Sequence, residues 1–399
     1  MFYRDKVINA LDEKRAALDQ LDHEQRARLQ ELLGASDALT GMTAAALRER
    51  LAPENAPGAL PTDEFDRVPG IRIRFSEAWD NLTAMRHWAS GTLADVTVCA
   101  VDGSQLPANK DFPLPVAAVQ IAWFTNRHTD DGAYEKDAHV EVLTPQELIQ
   151  GDSDASLLVA LHRYELEIAR INTFMREQSA RGEQAVALFD GSLTVTFAGA
   201  YPDEVRNRYR AAAVSMLRTS EECRVPLVAY IDRSRANDFT TMLCHVGGIS
   251  RSNASLISDT AVLDRPIDDE GFWRSTAFLC QRPDVANEEN YRDKQDGKSY
   301  GKEICFTYLK INHGRPARLE FPKWVLRAGI LDRVIDWVRA EAIVGGGYPY
   351  AIQAADAAAV ITFQDRQRFL RALEEFGRTH GIHTMQASSK QASKERRRT

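Results

Sequence analysis

The fold class predicted by this sequence of 399 residues is α/β: a mixed sheet flanked by helices, with a helical extension ahead of it. Three features predict it. Two apolar runs, "VTVCAVDGSQ" and "ALFDGSLT", each close on Asp-Gly-Ser. Three β-branched segments bounded by turn residues follow one another, and after them helical and apolar strand patterns alternate. Taken in order, "LDEKRAALDQLDHEQRARLQELL" has leucines at three-to-four spacing among many charges, which predicts amphipathic helices over the first fifty or so residues. "APENAPGALPTDEFDRVPG", rich in Pro and Gly, is expected to be a linker, and "EAWDNLTAMRHWASG" a further helix. "DVTVCAVD", "PVAAVQIAWF" and "AHVEVLT" are three successive strands. The helical pattern "SLLVALHRYELEIARINTFMREQSAR" leads into the strand "QAVALFD", the helix "PDEVRNRYRAAAVSMLRTSEE" and the strand "VPLVAYI".

Three strands, helix, strand, helix, strand is the layout of the ribonuclease H-like fold. The domain boundaries expected are a helical region with linker over residues 1–90, the α/β domain over residues 91–385, and a flexible basic tail over residues 386–399.

An apolar fraction of 44% and a charged fraction of 27% are those of a globular protein. The longest nearly uninterrupted apolar run, "PLPVAAVQIAWF", is too short to cross a bilayer, and "MFYRDKVINA" lacks the layout of a signal peptide. A cytoplasmic protein with no membrane partner is the expectation. Five widely spaced cysteines without a CxxC pair indicate neither a disulfide framework nor a zinc site. A net charge of −7 argues against indiscriminate coating of nucleic acid and leaves room for a local basic groove.

The chemistry concentrates at the two Asp-Gly-Ser figures. Asp102 is expected at the end of the first strand and Asp190 at the end of the fourth. On neighbouring strands, roughly 5 Å apart, two carboxylates repel unless something neutralises them. A divalent cation is the simplest remedy. Oxygen-rich sites suit magnesium or manganese, and two such ions about 4 Å apart activate water and stabilise the leaving oxygen of a phosphodiester. The long helix offers a further acid. Glu165, four residues after Leu161 and three before Ile168, falls on the apolar face by spacing, and Glu167 toward its flank; the spacing favours Glu165 and leaves Glu167 as the alternative. Gly permits a sharp exit from a strand end and Ser caps the following turn, so turn chemistry alone also accounts for a single Asp-Gly-Ser.

The pair "AVDGSQLP" and "ALFDGSLT", the glutamate-bearing helix between them, and "GGGYPYAIQAADAAAVIT" together resemble the NurA family of nucleases, from about Val96 to Phe363. That resemblance implies a ribonuclease H-like domain and manganese- or magnesium-dependent hydrolysis of single- and double-stranded DNA, with 5′-to-3′ exonuclease and single-strand endonuclease activity. It also implies a homodimer, and partnership with HerA, a hexameric ATP-driven translocase, in DNA end resection and double-strand break repair, which places the protein at the nucleoid. On the same footing, Asp102 and Asp190 match the family's two strand-end metal ligands and the helix glutamate falls on Glu165. Tyr348 and Asp356 take the places of a tyrosine and of the histidine or acid that follows it. Manganese tolerates an exchange of histidine for an acid. Asp356 otherwise reads as a helix-surface acid, and Tyr348 as a residue filling the turn before Pro349.

Beyond the fifth strand, Arg233 and Arg235 in "YIDRSRANDF" either hold the DNA backbone or make surface salt bridges. "ENYRDKQDGKSYGKE" contains Gly-Lys-Ser, but Arg292 stands where a phosphate-binding loop needs glycine. The N-terminal helices suit dimer or translocase contacts, or pack on the chain's own core. An actin-like ATPase or phosphotransferase is the competing reading, and a catalytically silent scaffold for a translocase the third.

Overall fold

In the computed structural model, residues 3–77, 79–108, 115–149, 154–251, 257–264, 272–311 and 314–382 are described; the predicted basic tail, residues 386–399, lies outside them. The strands are, in chain order, β1 (Gly58–Pro61), β2 (Arg72–Arg74), β3 (Thr97–Leu106), β4 (Ala117–Asn126), β5 (Tyr134–Leu143), β6 (Ala185–Asp190), β7 (Leu227–Ile231), β8 (Trp273–Ser275), β9 (Phe278–Gln281), β10 (Ile304–Lys310) and β11 (Ala317–Pro322). The chain forms two compact units, one of residues 1–78, 231–288 and 301–320, the other of residues 79–230, 289–300 and 321–399. Residue 90, where the sequence suggested a boundary, falls inside the second unit. Among the described residues, no helix is long and apolar enough to cross a membrane.

The second unit carries a mixed sheet in the order β7-β6-β3-β4-β5. β3 and β4, and β4 and β5, run antiparallel; β3 and β6, and β6 and β7, run parallel. Apolar runs bury most of β3, β4, β6 and β7, as strands covered on both faces require, whereas β5 is the exposed edge. The helix Ala155–Arg181 starts where the Asp154 side chain accepts from the Ser156 N–H at 2.7 Å, and ends at Gly182 in the left-handed region (φ 70°). Its neighbour Asp203–Cys223 supplies the crossover that joins the parallel pair β6 and β7. Arg208 bonds Glu165, Asn172 bonds Ser215 and Arg176 bonds Thr219, every pair 43 residues apart, so the two helices run parallel with matched turns.

A half-buried hydrogen-bonded histidine ties the start of β3 to the helix Leu331–Val344. His128 places Nδ1 2.7 Å from the Val96 carbonyl and Nε2 3.3 Å from the buried carboxylate of Glu341, whose other oxygen accepts from the Ala351 N–H at 2.9 Å. Burial works against the charge on His128, but the Glu341 carboxylate and the Val96 carbonyl outweigh it, and its pKa is raised above 6.5. A raised folded pKa means stability fully present below the unfolded value and lost as the pH rises through the folded one. His128→Asn keeps a residue that tolerates the positive φ of 50° found here. The Tm gap between wild type and variant is therefore expected to be widest near pH 6 and to narrow toward pH 9; a gap independent of pH would show that the imidazole holds no charge.

The first unit is built on β1, β9 and β10, with β2 and β8 paired beside them. Its N-terminal segment is one 34-residue helix, Arg4–Asp37, buried only at Leu32, Ala35 and Ser36, with Ile8, Leu11, Leu18 and Leu21 exposed. The helix packs on Asp238–Gly247, where Ala35 meets Gly247. The middle of the stretch expected to be a linker, residues 57–65, lies largely in this unit's interior. β1 pairs with β9, and the buried Glu64 carboxylate binds Arg274 at 2.7 and 2.5 Å and the Ala277 N–H at 2.8 Å. Its Pro and Gly content marks short turns; the partners that bury it lie more than 200 residues away in sequence.

Candidate active site

Asp102 is not at the end of its strand. β3 continues to Leu106 along β4, with Asp102 opposite Ala122 and Gly103 opposite Ile121. What ends there is the parallel pairing with β6, whose last register pair is Val101 with Phe189. Asp102 thus occupies the first position beyond the β3–β6 register pairs, level with Asp190, the last residue of β6, which pairs in turn with Tyr230 of β7. The two aspartates come together as the sequence predicts, at the carboxyl edge of the parallel strands.

The two Asp-Gly-Ser figures do different work. Gly191 has φ 151° and turns the chain out of β6, while Ser192 accepts from the Thr194 N–H at 3.1 Å, which is the predicted turn chemistry. Gly103 lies inside a strand without positive φ. A Cβ there would collide with Glu167 Oε1 and lie 2.8 Å from Arg163 Cγ, so its missing side chain is what lets the helix Ala155–Arg181 approach β3. Gly103→Ala is expected to displace Glu167. Activity at the site should fall at least about tenfold while circular dichroism remains that of the wild type, a loss of about 1.4 kcal/mol of positioning.

Successive strand residues face opposite sides of a sheet. Gly103 faces the helix Ala155–Arg181 and Asp102 the helix Tyr350–Ala359, where its carboxyl shares a hydrogen bond with Asp356. Burial pushes Asp102 up to about 6; the Gly103 N–H opposes this, and the charges of Asp356 and Asp190 add to it. Burial pushes Glu167 up to about 7, opposed by Arg163 and reinforced by Asp102 and Asp190. Four carboxyl groups from two strands and two helices therefore act on one another.

The helix glutamate on the buried side is Glu167, not Glu165. Tyr164, Ile168, Ile171, Met175 and Gln178 form the buried stripe, with Phe174 and Glu167 along one edge. Glu165 lies along the other edge and receives Nε and NH2 of Arg208 at 2.9 and 2.6 Å, in the contact between the two parallel helices. Leu161 and Ile168 alone place the stripe's centre too far toward Glu165. Sequence reasoning also missed Arg163, which donates to the Gly103 carbonyl at 2.7 Å and stands 3.6 Å from Glu167. Its spacing of four from Glu167 was the available signal.

Tyr348 packs its ring edge-on against Tyr230, 5.1 Å between centroids, and so stands over the strand pair that carries Asp190. The glycines before it are required by the turn. A Cβ on Gly345 would collide with the Tyr348 carbonyl and lie 2.6 Å from Gln353 Nε2, and Gly346 and Gly347 have φ 74° and 120°. Asp356 is exposed on its helix and yet hydrogen-bonded to Asp102, so this side of the site is open to solvent. Arg233 and Arg235 are exposed and belong to the other unit, where Arg233 stands 3.6 Å from Asp232.

The donors are all oxygen, the two most buried acids are pushed up, and Glu167 Oε1 is buried without a hydrogen-bond partner. Such a set suits a hard divalent cation, which would relieve the repulsion and satisfy the orphaned oxygen. Among the described residues, no group of three His, Cys, Asp or Glu side chains is arranged to hold a metal ion as it stands.

No protein of curated function matches the chain. Among solved structures, a crystal structure of NurA with manganese is similar over 70% of this chain and 88% of its own, at 11% identity and a TM-score of 0.36. Endonuclease V from Bacillus subtilis is similar over 75% of this chain and 97% of its own, at 11% identity and a TM-score of 0.30. The NurA domain profile matches residues 96–361, from the first residue before β3 to the segment after the Asp356 helix, and by that match the chain belongs to the NurA family.

Proposed function

We propose that this protein is a metal-dependent deoxyribonuclease whose site is formed by Asp102, Asp190, Glu167 and Asp356. Its activities would be 5′-to-3′ exonuclease and single-strand endonuclease, exercised as a homodimer beside a HerA-type hexameric ATPase during end resection and double-strand break repair at the nucleoid. The observation that carries the reading is the level placement of Asp102 and Asp190 at the edge of a β7-β6-β3-β4-β5 sheet, within the span that matches the NurA domain. Manganese or magnesium, held by these four carboxylates, would supply the charge that activates water and stabilises the leaving oxygen of a phosphodiester. The chain's own groups do the rest. Arg163 fixes Glu167 against the backbone of β3. Tyr348, braced on Tyr230, is placed to donate to a phosphate oxygen. The open Asp356 side admits the strand.

The test is cleavage of end-labelled single-stranded DNA with manganese, with magnesium and with chelator. Metal-dependent cleavage lost in Asp102→Asn and in Asp190→Asn supports the reading. A wild type that never cuts, even with the translocase and ATP, would make the protein a scaffold.

A further inference from the structure

We propose that Phe197, presented on the 3-10 turn Thr196–Ala200 after Asp190, is a stacking platform for a base of a single DNA strand and thereby holds that strand on the side of the sheet that carries Glu167. The proposal deepens the nuclease reading and rests on it. Phe197 is 54% exposed, although leaving a large aromatic ring in water is unfavourable. The turn beneath it is well tied. Tyr201 N donates to the Ala198 carbonyl at 2.9 Å, Val195 N to the Tyr291 hydroxyl at 2.8 Å, and Arg206 to the Gly199 and Tyr201 carbonyls at 3.3 and 3.2 Å. Three tyrosine rings back the phenyl ring: Tyr209 at 5.2 Å, Tyr201 at 6.3 Å and Tyr164 at 6.5 Å, all edge-on. The ring is therefore held outward on a rigid base.

The same contacts put the ring on the face of the sheet that the helix Ala155–Arg181 covers, the face on which Glu167 meets Gly103. Tyr164 touches Phe189, the residue before Asp190, at 6.2 Å, and precedes Glu167 by one helical turn. Tyr209 lies where the charges of Arg163, Glu165 and Glu167 act on its hydroxyl. Aromatic faces accept every base, so the platform serves a strand of any sequence, and a duplex, whose bases already stack on one another, cannot use it in the same way.

The deciding measurement is affinity, taken with the full chain in chelator so that DNA stays intact. One probe is a thymidine oligonucleotide; the other has the same length with abasic sites at its centre. The wild type is expected to prefer the intact strand by about 5- to 150-fold, the usual yield of one base–aromatic stack. Phe197→Trp should keep that preference. Phe197→Ala and Phe197→Leu should reduce it to about one, with affinity for the abasic strand unchanged, which also reports correct folding. A preference that survives in Phe197→Ala, or that the wild type lacks, overturns the proposal. If that happens while the wild type still cleaves single strands in manganese, the nuclease reading stands without the platform. A wild type that cleaves nothing overturns both. If Phe197→Ala keeps the preference and loses only stimulation by an added hexameric translocase, the ring is a protein contact.

Discussion

Glu167→Gln is expected to lower metal-dependent DNA cleavage by about 10²–10³-fold, whereas Glu165→Gln leaves it within about threefold of wild type; a metal's stabilisation of developing charge is worth several kcal/mol, and each 1.36 kcal/mol is tenfold. The two substitutions are chemically identical and two residues apart on one helix. They separate because Glu167 is buried against Gly103 among the other acids, while Glu165 is bound by Arg208 between helices. Loss of Glu165 removes a partly exposed ion pair and should cost about 1 kcal/mol or less. The metal-free protein provides an independent check. Asp102 and Glu167 have raised folded pKa values, about 6 and about 7, so their ionised forms are disfavoured by folding. Above those values each carboxylate subtracts stability, and the subtraction fades as the pH falls through the folded pKa toward the unfolded one. In chelator at about pH 8, Asp102→Asn and Glu167→Gln should therefore melt above wild type. At about pH 4.5 that advantage should shrink. A variant that loses activity and also melts lower at pH 8 would point to misfolding instead.

Arg318→Met is expected to destabilise the first unit by about 3–5 kcal/mol, the usual cost of leaving buried charges unpaired. The guanidinium is 1% exposed and lies 2.8 Å from Asp238, 2.7 Å from Glu320 and 3.7 Å from Asp259, with its face 3.9 Å from the centroid of Phe306. The Tyr308 hydroxyl accepts from it at 3.1 Å and donates to Asp259 at 2.7 Å. Asp238 keeps Arg282 at 2.7 Å through both oxygens, and Asp259 keeps the Tyr308 hydroxyl and the Phe239 and Thr240 N–H groups, so the cost is the loss of one buried guanidinium that faces three carboxylates. Chemical denaturation of Arg318→Met and of the double variant Arg318→Met, Glu320→Gln measures it. Neutralising Glu320 should recover part of the loss, because one carboxylate that faced the guanidinium then carries no charge. Equal stability of wild type and Arg318→Met would show that the network is no more stabilising than the apolar packing that replaces it.

The helices and strands of the second unit from β3 to β7 are legible along the chain because each carries its own period. β-branched runs bounded by turn residues mark β3 to β5, and the alternation that follows marks two helices, β6 and β7. Asp102 and Asp190 are legible for the same reason, since each closes an apolar run and parallel register places them level. The choice between Glu165 and Glu167 is not. Periodicity reports which residues share a helix face, but the neighbour met at each edge of that face is a helix 43 residues further on at one side and β3 at the other. Gly103 reads as a turn residue for a similar reason, because nothing in its flanking residues announces a glutamate 64 positions later.

The sequence by itself determined the order of elements from β3 to β7, the helix ends at Asp154 and Gly182, and the two acids at the edge of the parallel strands, all of which depend on local spacing and backbone preference. Tertiary structure alone decided that Glu167 faces the other acids, that Gly103 is a contact point, and that a Pro- and Gly-rich stretch buries Glu64 against Arg274. The physical reason is that desolvation and pairing depend on which distant segment covers a side chain, and that information lies in the partner as much as in the residue.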